Sequence, residues 1–218
     1  MQLVVFDVDG TLVDSQAHIL LAMEGAFSAL AHPMPDRAAC LAAVGLSLPE
    51  VMLRLAPDLS TADHAALVVA YKDRFHALRG AAPSQLYPGA SEVLTRLAAR
   101  PDVVLGIATG KSRRGIEHII TSHGWDGLFQ TVQVADNHPS KPHPSMLHAC
   151  LDATGVAPEH AVMVGDTEFD MQMAQAAGLL GVGVSWGYHP RARLGPRVID
   201  DFTELEGALR MIWDEATV

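Results

Sequence analysis

Cysteine is scarce in this 218-residue chain, with only Cys40 and Cys150 present. An isolated pair makes neither a disulfide framework nor a zinc-ligand spacing, so both are expected as reduced core residues. Positive charge is also in short supply: Lys and Arg number 15 against 25 Asp and Glu, a formal net charge of -10. Such a surface repels a phosphate backbone, which argues against nucleic acid and for a small partner. No apolar run is long enough to cross a bilayer, so no membrane partner is expected. The opening Met1-Gln2-Leu3-Val4-Val5-Phe6-Asp7 has no basic segment, which predicts neither a signal nor a transit peptide and a cytoplasmic location. Internal repeats and low-complexity tracts are lacking. Among the eleven histidines no H-E-x-x-H pair or Cys-His ladder occurs, so a transition-metal site is not indicated. What the chain does have is 49% hydrophobic residues, enough to bury a core.

Those residues fall in short continuous runs that end in polar residues: Leu3 to Phe6, Val103 to Ala108, Thr131 to Ala135, Ala161 to Val164 and Gly181 to Val184. Unbroken apolarity suits strands covered on both faces, and the stretches between them carry helical periodicity. The pattern is a repeated βαβ unit, and the expected fold class is α/β, a doubly wound parallel sheet with a Rossmann-like core. One crossover is too long. Between Asp14 and Ala82 the chain predicts three helices, Ala17 to Leu30, Leu48 to Leu55 and Thr61 to Leu78, with no strand among them. The excess reads as an inserted α-helical cap over 14–82, leaving 1–13 and 83–218 as the α/β core, with a boundary near Pro83-Ser84.

Polar clusters follow the strands. Asp7-Val8-Asp9-Gly10-Thr11 comes after the first run and would place two carboxylates on one face of an extended chain. Alone, it also fits a turn or a helix cap. A calcium loop is rejected because its twelfth position would be His18 in place of a bidentate Glu. Thr109-Gly110-Lys111 ends the second run and Gly165-Asp166-Thr167-Glu168-Phe169-Asp170 the fourth, so all three clusters stand at strand C-termini, where open parallel sheets bind ligands. Lys141 lies apart, in Ser140-Lys141-Pro142 before a helix expected near Pro144. Gly106 to Ser112 is not a P-loop, having three residues between its glycines where four are required, and Gly178 to Gly183 lacks the order of a dinucleotide fingerprint.

In order and strand context these four clusters resemble the motifs of the haloacid dehalogenase superfamily, over nearly the whole chain, and most resemble its phosphoglycolate phosphatase-like branch with a helical cap. The resemblance implies a phosphatase in which Asp7 is the nucleophile and forms an aspartyl-phosphate. Asp9 would be the general acid and base, with neighbouring carboxylates helping to keep a proton on it. Several carboxylates facing a phosphate need a cation, and an all-oxygen set points to Mg²⁺. By resemblance its ligands are Asp7, the backbone carbonyl of Asp9, and Asp166, with Asp170 either a direct ligand or just behind.

Thr109, Gly110 and Lys141 would bind the phosphoryl oxygens, set against the plainer readings of Thr109 as a helix cap and Lys141 as a solvated loop charge. The cap loop Gly45-Leu46-Ser47 would face the substrate, although Ser47 also fits a helix N-cap. Arg113 and Arg114 stand at a predicted helix start, either exposed or within reach of a substrate carboxylate. His143, beside Lys141, fits local loop structure. Asp9 argues against a dehalogenase, since a halide leaves without a proton. A sugar-phosphate mutase and a phospho-ligand binding module are the alternatives to hydrolysis. The expected partner is a small phosphorylated metabolite.

Overall fold

The computed structural model describes residues 1–81 and 84–215. Its strands, in chain order, are β1 (Gln2–Phe6), β2 (Val13–Asp14), β3 (Gln85–Leu86), β4 (Val103–Thr109), β5 (Thr131–Val134), β6 (Ala161–Gly165), β7 (Leu180–Val184) and β8 (Val198–Ile199). The five expected strands are all present, each end within one residue of its expected place. They join β8 in a six-stranded sheet of order β5-β4-β1-β6-β7-β8 that is parallel throughout. Two-residue strands such as β8 are too short to show as apolar runs, which is why the sequence reading misses them.

The continuous apolarity of β1 has the expected cause. Leu3, Val4, Val5 and Phe6 are all fully buried. Alternate side chains point to opposite faces of a strand. Val4 and Phe6 join one cluster, with Leu94, Ile116 and Leu209, while Leu3 and Val5 join a second, with Met146, Leu147 and Met173. Helices α5 (Ala90–Ala98), α6 (Arg113–Ser122) and α9 (Leu205–Glu215) supply the first cluster, and α7 (Ser145–Thr154) and α8 (Glu168–Ala176) the second. The sheet is therefore covered on both faces.

Four helices precede α5: α1 (Gln16–Ala29), α2 (Arg37–Ala42), α3 (Leu48–Leu55) and α4 (Thr61–Ala81). They share a third apolar cluster that includes Met23, Phe27, Cys40, Met52 and Leu67. The three expected helices are present. The additional α2 is a short helix started by Asp36, whose carboxylate accepts the Ala39 N–H at 2.7 Å. Where this excursion leaves and rejoins the sheet, β2 and β3 pair antiparallel, Val13 opposite Leu86. The boundary expected at Pro83 lies outside the described residues. Cys40 and Cys150 are free and buried, as expected. Among the described residues no helix is long and apolar enough to cross a membrane.

Candidate active site

β1 lies between β4 and β6, with Phe6 level with Ile107 on one side and Val164 on the other. That register brings Asp7, Thr109 and Asp166 to one edge, although more than a hundred residues separate the first from the second. Asp7 is locked there by its own N–H, donated to the Val164 carbonyl at 2.9 Å. This is the crevice where a doubly wound sheet changes direction.

Three carboxylates meet at that edge. Asp7, Asp166 and Asp170 are buried, and one oxygen from each lies within 4.8 Å of the others. Asp166 is held by two donors: Thr11 Oγ1 gives to Oδ1 and the Tyr188 N–H to Oδ2, each at 2.9 Å. Asp170 caps α8, its Oδ2 accepting from the N–H and hydroxyl of Thr167 at 3.0 and 2.7 Å. Its Oδ1 accepts from Lys141 Nζ at 2.6 Å. The same ammonium stands 3.0 Å from Asp7 Oδ2, yet neither oxygen of Asp7 has a hydrogen bond. The plainer reading of Lys141 as a solvated charge is therefore overturned, because the side chain is buried between two carboxylates. Thr109 is likewise buried and does not cap α6, a role taken by Ser112.

Crowding around Asp166 explains a sequence feature that patterning alone leaves open. Gly10 has φ 82°, in the region that favours glycine, and a Cβ there would come within 2.2 Å of Asp166 Oδ2. The glycine of the Asp-x-Asp-Gly sequence thus turns the chain and leaves room for a carboxylate.

Burial is the main electrostatic force on the cluster. It pushes the Asp7 carboxyl up to about 7; Lys141 opposes the rise and Asp170 adds to it. Burial and the charges of Asp170 and Asp7 raise Asp166 well above the ordinary carboxylate range. For Lys141 burial alone would lower the value, but Asp170 and Asp7 outweigh it and the ammonium is held above its usual range.

Asp9 does not belong to this group. Its side chain turns instead to Lys111, whose Nζ donates to both carboxylate oxygens at 2.7 Å, and it accepts the Ser15 hydroxyl. Ser15 is also 3.2 Å from the Tyr188 hydroxyl. The neighbour expected to influence Asp9 was a carboxylate, and the neighbour found is an ammonium. Lys111 stood in the Thr109-Gly110-Lys111 cluster without a role, and only its position beside that motif could have drawn attention to it. Thr167 and Tyr188 were missed similarly. Thr167 had a legible signal, a Thr with Asp three residues on at the start of a helix.

A cavity of about 210 Å³ opens from Asp7, Asp9 and Thr109 toward the helices, where Gly45 and Leu46 also line it. The loop before α3 is seated on the sheet. A Cβ on Gly110 would fall 2.7 Å from the Leu46 carbonyl oxygen, and the Ser47 N–H donates to Ser140 Oγ at 2.8 Å. Ser47 occupies the N-cap position of α3 without a side-chain cap bond. Nearby, His189 Nδ1 accepts the Glu168 N–H at 3.1 Å, which leaves Nε2 as the donor to the Ala42 carbonyl at 3.2 Å. Arg113 turns away, donating to the Val132 carbonyl, whereas Arg114 lines the cavity. His143 accepts the Ser145 N–H, the loop role expected of it.

Residues 4–184 match the family model described as haloacid dehalogenase-like hydrolase. A Dickeya dadantii (strain 3937) protein named "Probable phosphatase IndB" is 36% identical over 214 residues, covering 94% of this chain and 92% of that protein. A phosphoglycolate phosphatase of Haemophilus influenzae (strain 86-028NP) is 30% identical over 217 residues, covering 94% and 96%. Among solved structures, a haloacid dehalogenase-like family hydrolase from Streptococcus pneumoniae superimposes with a TM-score of 0.82 at 27% identity, over 95% of this chain and 97% of the other.

Proposed function

The chain belongs to the haloacid dehalogenase-like hydrolase family and is a phosphatase, and from its site we propose that it hydrolyses a small phosphate monoester with Mg²⁺ and an Asp7 nucleophile. The observation that carries the reading is Asp7 itself: a buried carboxylate at the mouth of the sheet whose close side-chain partner is the Lys141 ammonium, 3.0 Å from Oδ2. Burying a carboxylate with so few donors around it is costly unless it has work to do. Asp7 lines the cavity, where a carboxylate can serve both a cation and phosphorus.

The donor set suits Mg²⁺, being entirely oxygen and largely carboxylate. Asp7, Asp166 and the Asp9 backbone carbonyl would hold it. Asp170 would stand behind them, because its Oδ1 is ion-paired with the Lys141 ammonium at 2.6 Å, whereas Asp166 accepts from neutral donors, the Thr11 hydroxyl and the Tyr188 N–H. When bound, the ion neutralises negative charge shared by the carboxylates and the phosphoryl group.

The side chains divide the remaining work. An Asp7 oxygen bonds to phosphorus as the ester P–O bond breaks, and Asp9, which must exchange its ion pair with Lys111 for a proton beforehand, gives that proton to the departing oxygen. Asp9 then takes a proton from a water that attacks phosphorus, releasing phosphate and restoring Asp7. Lys141, the Thr109 hydroxyl and the Gly110 N–H grip the phosphoryl oxygens. Residues 14–82 act as the cap, with Gly45, Leu46 and Ser47 facing the substrate, in keeping with the contacts of that loop to Gly110 and Ser140. Buried free cysteines suit a cytoplasmic enzyme. Phosphoglycolate, the substrate in the name of the Haemophilus relative, is the first compound to try.

Asp9→Asn separates the two half-reactions. Turnover of an alkyl phosphate should fall by roughly a hundredfold or more, the ordinary contribution of a general acid. A nitrophenyl ester, whose leaving group needs little protonation, should still phosphorylate Asp7 and then stall. Rapid-quench measurement should show a nitrophenol burst of no more than one equivalent; equal losses on both esters with no trapped phospho-enzyme would reject the dual role of Asp9.

Metal dependence should vary with pH in a defined direction. With Asp7 and Asp166 raised above their unfolded values, the metal-free folded chain holds protons that the unfolded chain has released from about pH 4 to 7. Its stability is therefore favoured at the acid end of that window and declines as pH rises through it. Mg²⁺ competes with those protons, so its stabilising shift in Tm should be larger at about pH 7.5 than at about pH 5.5. Chelation should abolish turnover and Mg²⁺ restore it. Full activity after verified metal removal would sink the assignment.

A further inference from the structure

The cavity that Asp7 lines is also lined by two guanidinium groups and an imidazole. Helix α4 contributes His76 and Arg79, and the first turn of α6 contributes Arg114, all three lining the same cavity as Asp7 and Thr109. Arg79 Nη2 lies 3.1 Å from His76 Nδ1, and Arg114 Nη2 lies 3.2 Å from His76 Nε2. Guanidinium groups only donate, and a neutral imidazole accepts at one nitrogen alone. At least one of these contacts therefore sets donor against donor. Arg79 Nε is buried without a hydrogen-bond partner. Asp73 lines the cavity as well, but among the described residues neither guanidinium is ion-paired with it or with another carboxylate. Arg114 also sits at a helix N-terminus, where the backbone already favours negative charge. Burial and the charge of Arg114 both work against the Arg79 cation. Cations gathered in this way repel one another, and an anion shared among them offsets that cost.

We propose that Arg79, His76 and Arg114 form a subsite for a second anionic group of the substrate, a carboxylate or a further phosphate. The reading rests on Asp7 receiving the phosphoryl group in the same cavity. Substrates are then esters that carry negative charge at both ends, and Arg79 and Arg114 select them over esters with a neutral tail.

Non-hydrolysable phosphonates isolate the second charge. In calorimetry on the Mg²⁺-loaded protein, 3-phosphonopropionate and ethane-1,2-diphosphonate are compared with propylphosphonate. At least one of the two should bind about tenfold or more tightly than propylphosphonate, the scale of one charge-assisted hydrogen bond. Which of them binds better tells carboxylate from phosphate. The doubly substituted Arg79→Gln/Arg114→Gln protein should lose most of that ratio, a quantity from which any general loss of affinity cancels. Thermal unfolding checks its fold, and Arg114→Gln, at an exposed position, carries the test alone if the double variant does not fold. Equal affinities in the wild type, no binding of either anionic ligand, or a ratio that survives in the folded variant would overturn the subsite. Nitrophenyl phosphate turnover is followed in parallel. Its absence alongside a wild-type preference for the anionic ligands that the variant loses would count against the phosphatase reading and not against the subsite.

Discussion

Asp7→Asn should lower kcat by at least about 10⁴-fold and abolish the phospho-enzyme, because a neutral amide is a poor nucleophile toward phosphorus and a poor ligand for a hard cation. Removal of the charge should have the opposite effect on stability. Burial raises the Asp7 carboxyl to about 7, so above that pH the folded chain carries an ionised group in a place that disfavours it. Asn keeps the shape and removes the charge, while Lys141 retains Asp170 at 2.6 Å. In metal-free protein at about pH 8 the variant should therefore melt no lower than wild type. Labelled substrate and thermal unfolding check the two halves. Covalent labelling at wild-type yield would assign the nucleophile elsewhere, and a lower Tm would refute the view that Asp7 is held at a cost to stability.

The second large effect is expected from Lys141→Met. The ammonium lies between Asp7 and Asp170 with all three side chains buried, and removing one member of such a group leaves uncompensated charge. The cost at neutral pH should be about 3–5 kcal/mol. Protonation of the two carboxylates relieves it. Because carboxyl groups deprived of the ammonium should take up protons more readily than they do beside it in the folded wild type, the deficit relative to wild type should shrink as pH falls toward about 5. Urea unfolding at the two pH values measures this. A deficit independent of pH, or one below about 1 kcal/mol, would mean that Lys141 does not serve as the countercharge of the cluster.

Much of the architecture was legible because local patterning reports local physics. Leu3 to Phe6 read as a strand covered on both faces, and it is one, its alternate side chains feeding two clusters. The helix-rich stretch after Asp14 read as an excursion, and its helices share an apolar cluster. Elements with weak local signals were missed. β2, β3 and β8 are two residues each, and α2 depends on the carboxylate of Asp36 more than on any apolar stripe.

The sequence by itself determined which residues stand at the ends of β1, β4 and β6, and in a parallel sheet that is enough to bring Asp7, Thr109 and Asp166 together, since register carries strand ends to a common edge whatever the chain between them. Only the tertiary structure decided where the long cationic side chains went. Lys141 lies buried between Asp7 and Asp170, Lys111 grips Asp9, and Arg79 and Arg114 face each other across His76. The Arg79 and Arg114 contacts depend on how α4 meets α6, and those of Lys141 on how the loop before α7 meets the ends of β1 and β6, a matter of packing between distant segments. A flexible side chain takes whichever partner that packing places within reach, and no spacing along the chain records the choice.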